Sequence, residues 1–245
     1  MRYLVLGNWK SNGTATELAD FVEEYGSQAA ALPPQTAVGL ALPYHLVGAA
    51  PKVGLLRGAQ NVSPFGAGAY TGEIHAAMLT ELGCDFCLVG HSERRQYFGE
   101  TPADTGKKLE HLHEAGCLAV LCIGESLKQR QAGQLRAVLS DQLAPLRGKS
   151  WPEDLAVAYE PVWAIGTGVA ASPLDVADAH TLIKSMLVEI GLGGVPLLYG
   201  GSVKPANAQS LAAIDGVDGF LIGGASLQAA SFAGIVRGFT SAKTT

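Results

Sequence analysis

The sequence predicts an α/β protein, a closed (β/α)8 barrel of eight parallel strands ringed by helices. Three observations support this: eight short apolar runs recur, helical patterns separate them, and several runs end in glycine. The runs are nearly continuously apolar, which is typical of strands buried on both faces of a parallel sheet. A length of 245 residues suits one such barrel. An open doubly wound sheet is the alternative.

The eight strands are expected at the apolar runs. These are YLVLGN from Tyr3, TAVGLAL from Thr36, VGLLRGA from Val53, FCLVG from Phe86, LAVLCIG from Leu118, LAVAYE from Leu155, PLLYGG from Pro196 and GFLIGG from Gly219. No long linker, low-complexity segment or change of composition divides the chain. We therefore expect a single domain over residues 1–245.

The segments between the runs carry helix signals. Ser172, followed by proline and then by Asp175, predicts a capped helix through VADAHTLIKSMLVEIG. Thr101 opens ADTGKKLEHLHEAG in the same way, and Gly116 ends that helix. The segment LRAVLSDQLAPLRG has its leucines and valine at helical spacing. Strands that alternate with such helices favour the barrel.

Composition excludes several classes of function. A net charge of −5 and the lack of a basic run predict no binding to nucleic acid or acidic lipid. The sequence contains no run of about 18 apolar residues, so it predicts no membrane span. The start, MRYLVLGNWK, has too short an apolar run for a secretion signal, so we expect a cytoplasmic protein.

The four cysteines leave two interpretations. Cys84 and Cys87 have the spacing of half a zinc site, but a structural site needs a second closing pair. Cys117 and Cys122 are five residues apart in an apolar run. We therefore favour buried thiols that pack as small hydrophobic groups.

Polar residues at the ends of the strands are the candidates for chemistry, because that face of a barrel carries the active site. Asn8 and Lys10 are two residues apart, so on an extended strand they would project to one side and suit an anionic substrate. Alternatively, Lys10 only marks where the strand meets water. Glu160 ends a buried strand and is a candidate general base or acid, or else one half of an ion pair.

His91 follows Gly90 at the end of the fourth run, and Ser92 is a plausible N-cap for the next helix. The positive end of a helix dipole disfavours imidazolium and would keep the ring neutral. A neutral ring can donate its N–H to a carbonyl oxygen. The alternative for a single histidine is a structural or surface role.

Glycine pairs end the last two strands, at Gly200-Gly201-Ser202 and Gly223-Gly224. Barrels often bind phosphate at this position through backbone N–H groups and a helix N-terminus. A lysine, a histidine, a glutamate and a phosphate site on one rim together suggest proton transfer on a small phosphorylated carbonyl compound.

The chain resembles the triosephosphate isomerase family in eight blocks that cover essentially its whole length. They are GNWK at 7–10, GAQNV at 58–62, GAYTGE at 68–73, GHSERR at 90–95, CIGE at 122–125, AYEPVWAIGTG at 158–168, YGGSV at 199–203 and LIGGASL at 221–227. The resemblance implies a TIM barrel that interconverts dihydroxyacetone phosphate and D-glyceraldehyde 3-phosphate through an enediolate, in glycolysis and gluconeogenesis, without a metal or organic cofactor.

The resemblance also implies a role for each matching residue. Glu160 corresponds to the base, His91 to the neutral electrophile and Lys10 to the cation that attracts the substrate, with Glu93 beside that lysine. The substrate-binding residues would be Asn8, Lys10, Gly166, Ser202, Gly223 and Gly224. A lid over the site would comprise Pro161, Val162, Trp163, Ala164, Ile165, Gly166, Thr167 and Gly168.

The segment VSPFGAGAYTGEIH, from Val62 to His75, is similar to the loop through which members of this family form a homodimer. The resemblance implies that Thr71 lies near the partner subunit's Lys10. From the sequence alone, a long loop after the third strand could equally be a local flap.

Two other functions remain open on the same scaffold. A Schiff-base aldolase would use Lys10 as its nucleophile, which requires a lowered lysine pKa beside the reacting carbonyl. A non-catalytic phosphate-binding protein would be expected to lack Lys10, His91 or Glu160, yet all three are present.

Overall fold

The structure of the protein is a computed structural model, which describes residues 3–29, 31–50, 54–149, 151, 154–164 and 171–244. Eight parallel strands form a closed barrel in chain order, and the first pairs with the last. The predicted fold class is confirmed. The strands are β1 Tyr3–Asn8, β2 Thr36–Leu42, β3 Leu56–Ala59, β4 Phe86–Val89, β5 Leu118–Ile123, β6 Leu155–Tyr159, β7 Leu197–Tyr199 and β8 Gly219–Ile222.

The third strand is shorter than its apolar run. The run was expected to start at Val53, which lies outside the described residues, and residues 54 and 55 form a bend before β3. Pairing with β2 begins at Leu56, whose partner is Gly39.

Helices surround the barrel in the described part of the chain. They are α1 Ala15–Gln28, α2 Tyr44–Val47, α3 Ala76–Glu81, α4 Ser92–Phe98, α5 Pro102–Glu114, α6 Leu127–Gln131, α7 Leu135–Leu143, α8 Pro173–Glu189, α9 Ala208–Ala212 and α10 Ala229–Lys243. Short 3-10 helices cover Ala144–Leu146, Val162–Ala164 and Gly224–Leu227.

The predicted caps of two helices are confirmed. The Ser172 side chain accepts a hydrogen bond from the Asp175 N–H, and the Asp175 carboxylate accepts one from the Ser172 N–H. Thr101 and Asp104 form the same reciprocal pair at the start of α5. Each box satisfies backbone donors that have no partner within the helix.

The core has two layers, which explains why the strands are apolar on both faces. Leu4 and Leu6 of β1 belong to a cluster inside the barrel, whereas Val5 packs outward against the helices. Alternate residues of a strand point to opposite faces, so each strand contributes to both clusters. All four cysteines are free and buried, as expected for packed thiols.

Membrane insertion through a helix finds no support in the described ranges. Within them, no helix is both long enough and apolar enough to cross a bilayer.

Candidate active site

The ends of the strands bring most of the predicted residues around one cavity of about 270 Å³. Its walls include Asn8, Lys10, His91, Glu160, Ser202, Gly223 and Gly224. These residues lie at or just after the ends of five different strands, and closure of the barrel places them side by side. Of the predicted lid, Ala164 lines the same cavity. Residues Ile165, Gly166, Thr167 and Gly168 lie outside the described residues.

Glu160 immediately follows β6 and is 2% exposed. Its backbone N–H donates to the carbonyl of Ile123 at 2.7 Å. One carboxylate oxygen lies 2.9 Å from His91 Nε2, and the other accepts the Ser92 N–H at 3.0 Å. Strand pairing thus sets the backbone of Glu160, and the start of α4 sets its carboxylate.

Opposing influences set the pKa of Glu160. Burial raises the pKa, but the interaction with His91 and the hydrogen bond from the Ser92 N–H outweigh burial. The net pKa lies below the ordinary value of a glutamate. The carboxylate is therefore ionised at neutral pH in the unliganded protein.

His91, rather than the predicted Ser92, is the N-cap of α4. The His91 Nδ1 atom accepts the N–H of Glu93 at 3.2 Å, and Ser92 is the first helical residue. Ser92 thereby directs its N–H at Glu160 instead of capping the helix with its hydroxyl. The sequence shows a small polar residue at a helix start but not which of two neighbours is the cap.

The protonation of His91 depends on more than the helix end. Burial lowers its pKa, but the Glu160 carboxylate outweighs burial, and the net pKa is above the ordinary value. The charge of His91 thus depends on its burial and on Glu160 as well as on the helix end. The bond from the Glu93 N–H nevertheless needs a lone pair on Nδ1, because a protonated Nδ1 would point its hydrogen at that donor. This geometry fits the neutral Nε2–H tautomer.

Lys10 lies beyond the end of β1 in a left-handed conformation, with a φ of 53°. The argument from extended-strand alternation was therefore wrong, although Asn8 and Lys10 do line one cavity. The Lys10 N–H donates to Asn8 Oδ1 at 3.0 Å, and its carbonyl accepts Gln60 Nε2 at 2.8 Å. A left-handed conformation is strained for a residue other than glycine and persists only where the surrounding structure imposes it. Here two side-chain amides hold the turn.

The Lys10 ammonium lies 2.5 Å from a carboxylate oxygen of Glu93. Glu93 therefore lies beside Lys10, as the resemblance implied. Their side chains are 28% and 40% exposed, so the pair borders the open side of the cavity.

The glycines at the strand ends fall into two groups. Gly224 has open space where a side chain would stand, and the nearest atom to that position at Gly223 is Lys10 Cε, 3.6 Å away. Both peptides therefore face the cavity, beside the half-buried Ser202. By contrast, a Cβ at Gly7 or Gly124 would collide with the protein itself. The interpretation that strand-end glycines admit a ligand fits only the first group.

Lys204 also lines the cavity and was missed by the sequence reasoning. It is exposed and lies two residues after Ser202. A lysine so close in sequence to a predicted phosphate contact could have indicated this role. Whether its side chain reaches the cavity, however, depends on the turn that leads into α9.

The chain is similar to known proteins along its whole length. The family model described as triosephosphate isomerase matches residues 3–239. A triosephosphate isomerase of Stenotrophomonas maltophilia is 46% identical over 248 residues, covering 96% of this chain and 97% of its own length. One of Dechloromonas aromatica is 44% identical over 244 residues, with coverage of 96% and 97%. The crystal structure of the Bartonella henselae triosephosphate isomerase aligns with a TM-score of 0.87 at 35% identity, covering 98% of this chain and 99% of that one.

Proposed function

The chain belongs to the triosephosphate isomerase family and interconverts dihydroxyacetone phosphate and D-glyceraldehyde 3-phosphate, and we propose that Glu160 and His91 carry the proton transfers of this reaction. The reaction is a step of glycolysis and gluconeogenesis. The observation that carries the proposal is the buried contact between Glu160 and His91 at the edge of the cavity.

In the proposed reaction, the Glu160 carboxylate removes a proton from the carbon next to the substrate carbonyl and returns it to the neighbouring carbon. The His91 Nε2–H donates to the carbonyl oxygen and then to the enediolate oxygen. When the carbonyl oxygen replaces Glu160 as the acceptor of this N–H, the carboxylate loses a hydrogen bond while it stays buried. Its pKa then rises, which makes it a stronger base.

Lys10 is proposed to attract the anionic substrate and to balance the charge of the enediolate, with Glu93 holding its ammonium between turnovers. Asn8 supports the turn that presents Lys10. The phosphate is proposed to bind Ser202 and the open peptides of Gly223 and Gly224, which support a backbone-bound anion at a helix start.

Residues 161–168 are proposed, on the family resemblance, to form a lid that contributes Gly166 to the phosphate site. Its first part, the turn Val162–Ala164, is next to Glu160. The Trp163 indole N–H donates to Glu125 at 2.9 Å, and Ala164 borders the cavity. A lid in this position would exclude water from the charged intermediate.

A cytoplasmic, single-domain homodimer is proposed, joined by the loop of residues 62–75 with Thr71 near the partner subunit's Lys10. Residues 65–73 are exposed, and the rings of Phe65 and Tyr70 stack at 4.3 Å without being buried. Phe98 is also exposed, and it lines a second cavity of about 290 Å³ beside Lys10. Light scattering should give twice the mass of the chain, and a monomer would contradict the proposal.

The test of the proposed base is Glu160→Gln, assayed in both directions with the two triose phosphates. This variant should lose most of kcat, because the amide cannot accept the proton, and should keep its inhibition by inorganic phosphate. Wild-type protein in deuterated water should place deuterium on the carbon next to the carbonyl. A variant with near-wild-type kcat would show that Glu160 is not the base.

The aldolase alternative is tested separately. A Schiff base needs a neutral amine, whereas the Lys10 Nζ is in an ion pair with Glu93. Borohydride added during turnover should therefore trap no substrate on the protein. A covalent adduct on Lys10 would support the aldolase.

A further inference from the structure

Glu160 borders two cavities, and Gln142 lines only the one that does not contain Lys10. The cavity lined by Gln142 has a volume of about 670 Å³, and Gly124, Ser92 and Trp163 also line it. Gln142 belongs to α7, is 8% exposed, and is not among the residues around the substrate cavity. A buried amide needs hydrogen-bond partners, and those of Gln142 are informative.

Gln142 forms a two-way hydrogen bond with the backbone of Gly124, the residue after β5. Its Oε1 atom accepts the Gly124 N–H at 2.7 Å, and its Nε2 atom donates to the Gly124 carbonyl at 3.0 Å. β4 ends at Val89, which pairs with Leu121, so neighbouring β4 does not extend as far as Gly124. The Gln142 amide supplies both bonds in its place.

The other side of Gly124 is pressed against the backbone of Glu160. A Cβ on Gly124 would stand 1.8 Å from the Glu160 carbonyl oxygen, so no side chain fits between them. The flanking bonds tie the same two segments together. The Glu160 N–H donates to Ile123 at 2.7 Å, and the Val162 N–H donates to Glu125 at 3.1 Å. Gly124 is thus the middle residue of the segment 123–125, which supports the backbone of Glu160. Gln142 forms its two hydrogen bonds with this middle residue.

We propose that Gln142 is a positioning residue for the isomerase reaction, which acts on the base Glu160 through the peptide of Gly124. The proposal rests on the proposed role of Glu160. Loss of the two hydrogen bonds would let Gly124 shift, and the backbone of Glu160 would follow because the two are in contact. A displacement of about 1 Å at a reacting group can reduce the rate on the order of 100-fold.

The first test compares Gln142→Met with Gln131→Met. Methionine keeps the length of the buried side chain without its hydrogen bonds, and Gln131 is an exposed residue of α6. We expect Gln142→Met to lower kcat about 10- to 100-fold, with KM and inhibition by inorganic phosphate within about twofold, because the phosphate contacts lie elsewhere. Gln131→Met should leave all three unchanged.

A pH profile separates positioning from a general loss of structure. If Glu160 loosens from His91 and Ser92, the acid limb of kcat/KM should move to higher pH. A purely structural role would lower Tm or the active fraction and leave that limb in place. Unchanged kcat and an unchanged acid limb would overturn the proposal.

Gln142→Glu covers the case in which the methionine variant does not fold. It keeps an acceptor for the Gly124 N–H but, when ionised, has no donor for the carbonyl. A lowered kcat and a raised acid limb are expected here too, and wild-type values would overturn the proposal.

Comparison with Glu160→Gln distinguishes the two proposals. Activity retained in Glu160→Gln would refute the proposed base, whereas activity lost there but retained in Gln142→Met would refute only the positioning role.

Discussion

His180 should make the fold lose stability in mild acid, because its neutral form is buried between α8 and the barrel. Its Nδ1 atom lies 3.0 Å from the carbonyl of Gly216, and its ring contacts those of Tyr159 and Tyr199. Its Nε2 atom is buried without a hydrogen-bond partner in the described residues. Burial lowers the pKa of His180 to about 4, although the nearby Asp218 carboxylate opposes this shift.

The sign and size of the effect follow from linkage. Above pH 6.5, the ordinary pKa of histidine, folded and unfolded chains both hold a neutral ring and His180 contributes nothing. As the pH falls toward 4, the unfolded chain takes up a proton that the folded chain does not, so stability is lost. At pH 5 the loss should be about 2 kcal/mol relative to pH 7, and below pH 4 it should level off at about 3 kcal/mol.

Urea unfolding at pH 7 and pH 5, at one protein concentration, measures this loss. His180→Gln should remove about 2 kcal/mol of the pH dependence, because a glutamine can donate to Gly216 but does not titrate. His111→Gln, at a partly exposed histidine of α5, should leave the pH dependence as in the wild type. If the wild type and His180→Gln lose the same free energy between the two pH values, the reasoning about His180 is refuted.

Three further predictions follow from single contacts. In a steady-state assay, Gly124→Ala should lower kcat about 100-fold, because its Cβ would stand 1.8 Å from the Glu160 carbonyl oxygen. Gly26→Ala is the control, because its Cβ would lie in open space on α1, and it should keep wild-type kinetics. Lys204→Gln should reduce kcat/KM for the phosphorylated substrate at low ionic strength, with the difference vanishing in high salt, because Lys204 adds charge at the cavity. Asp218→Ala should lower the free energy of unfolding in urea by about 3 kcal/mol, because Lys184, whose Nζ lies 2.6 Å from the Asp218 carboxylate, would lose its counter-charge. A loss below about 1 kcal/mol would contradict the argument that the pair is buried.

Much of the fold could be predicted because its signals are local. The capping boxes at Ser172 and Thr101 involve residues three positions apart, and neither depends on the rest of the barrel. The apolar runs likewise marked the strands, since burial on both faces leaves no polar alternation. The start of β3 was the exception, since residues 54 and 55 of its apolar run form a bend and pairing with β2 begins at Leu56.

The site was predicted as a set of residues but not as an arrangement. Strand ends and family motifs identified Lys10, His91 and Glu160, and all three line one cavity. No local pattern indicated that Lys10 would adopt a left-handed conformation, which depends on Gln60, fifty positions away in the chain. Nor did the sequence show that His91 would replace Ser92 as the helix cap.

By itself, the sequence determined the fold class, the capped helices, the family and the residue types at the strand ends, since these depend on local pattern or on matched motifs. Only the tertiary structure decided which groups hold Glu160 and Gly124 in place. Ser92 and Gln142 lie 68 and 18 positions from the residues they hold, and neither stands in a pattern that points to its partner. Closure of the barrel brings them together, because parallel strands align their ends while the helices between them return the chain to the start.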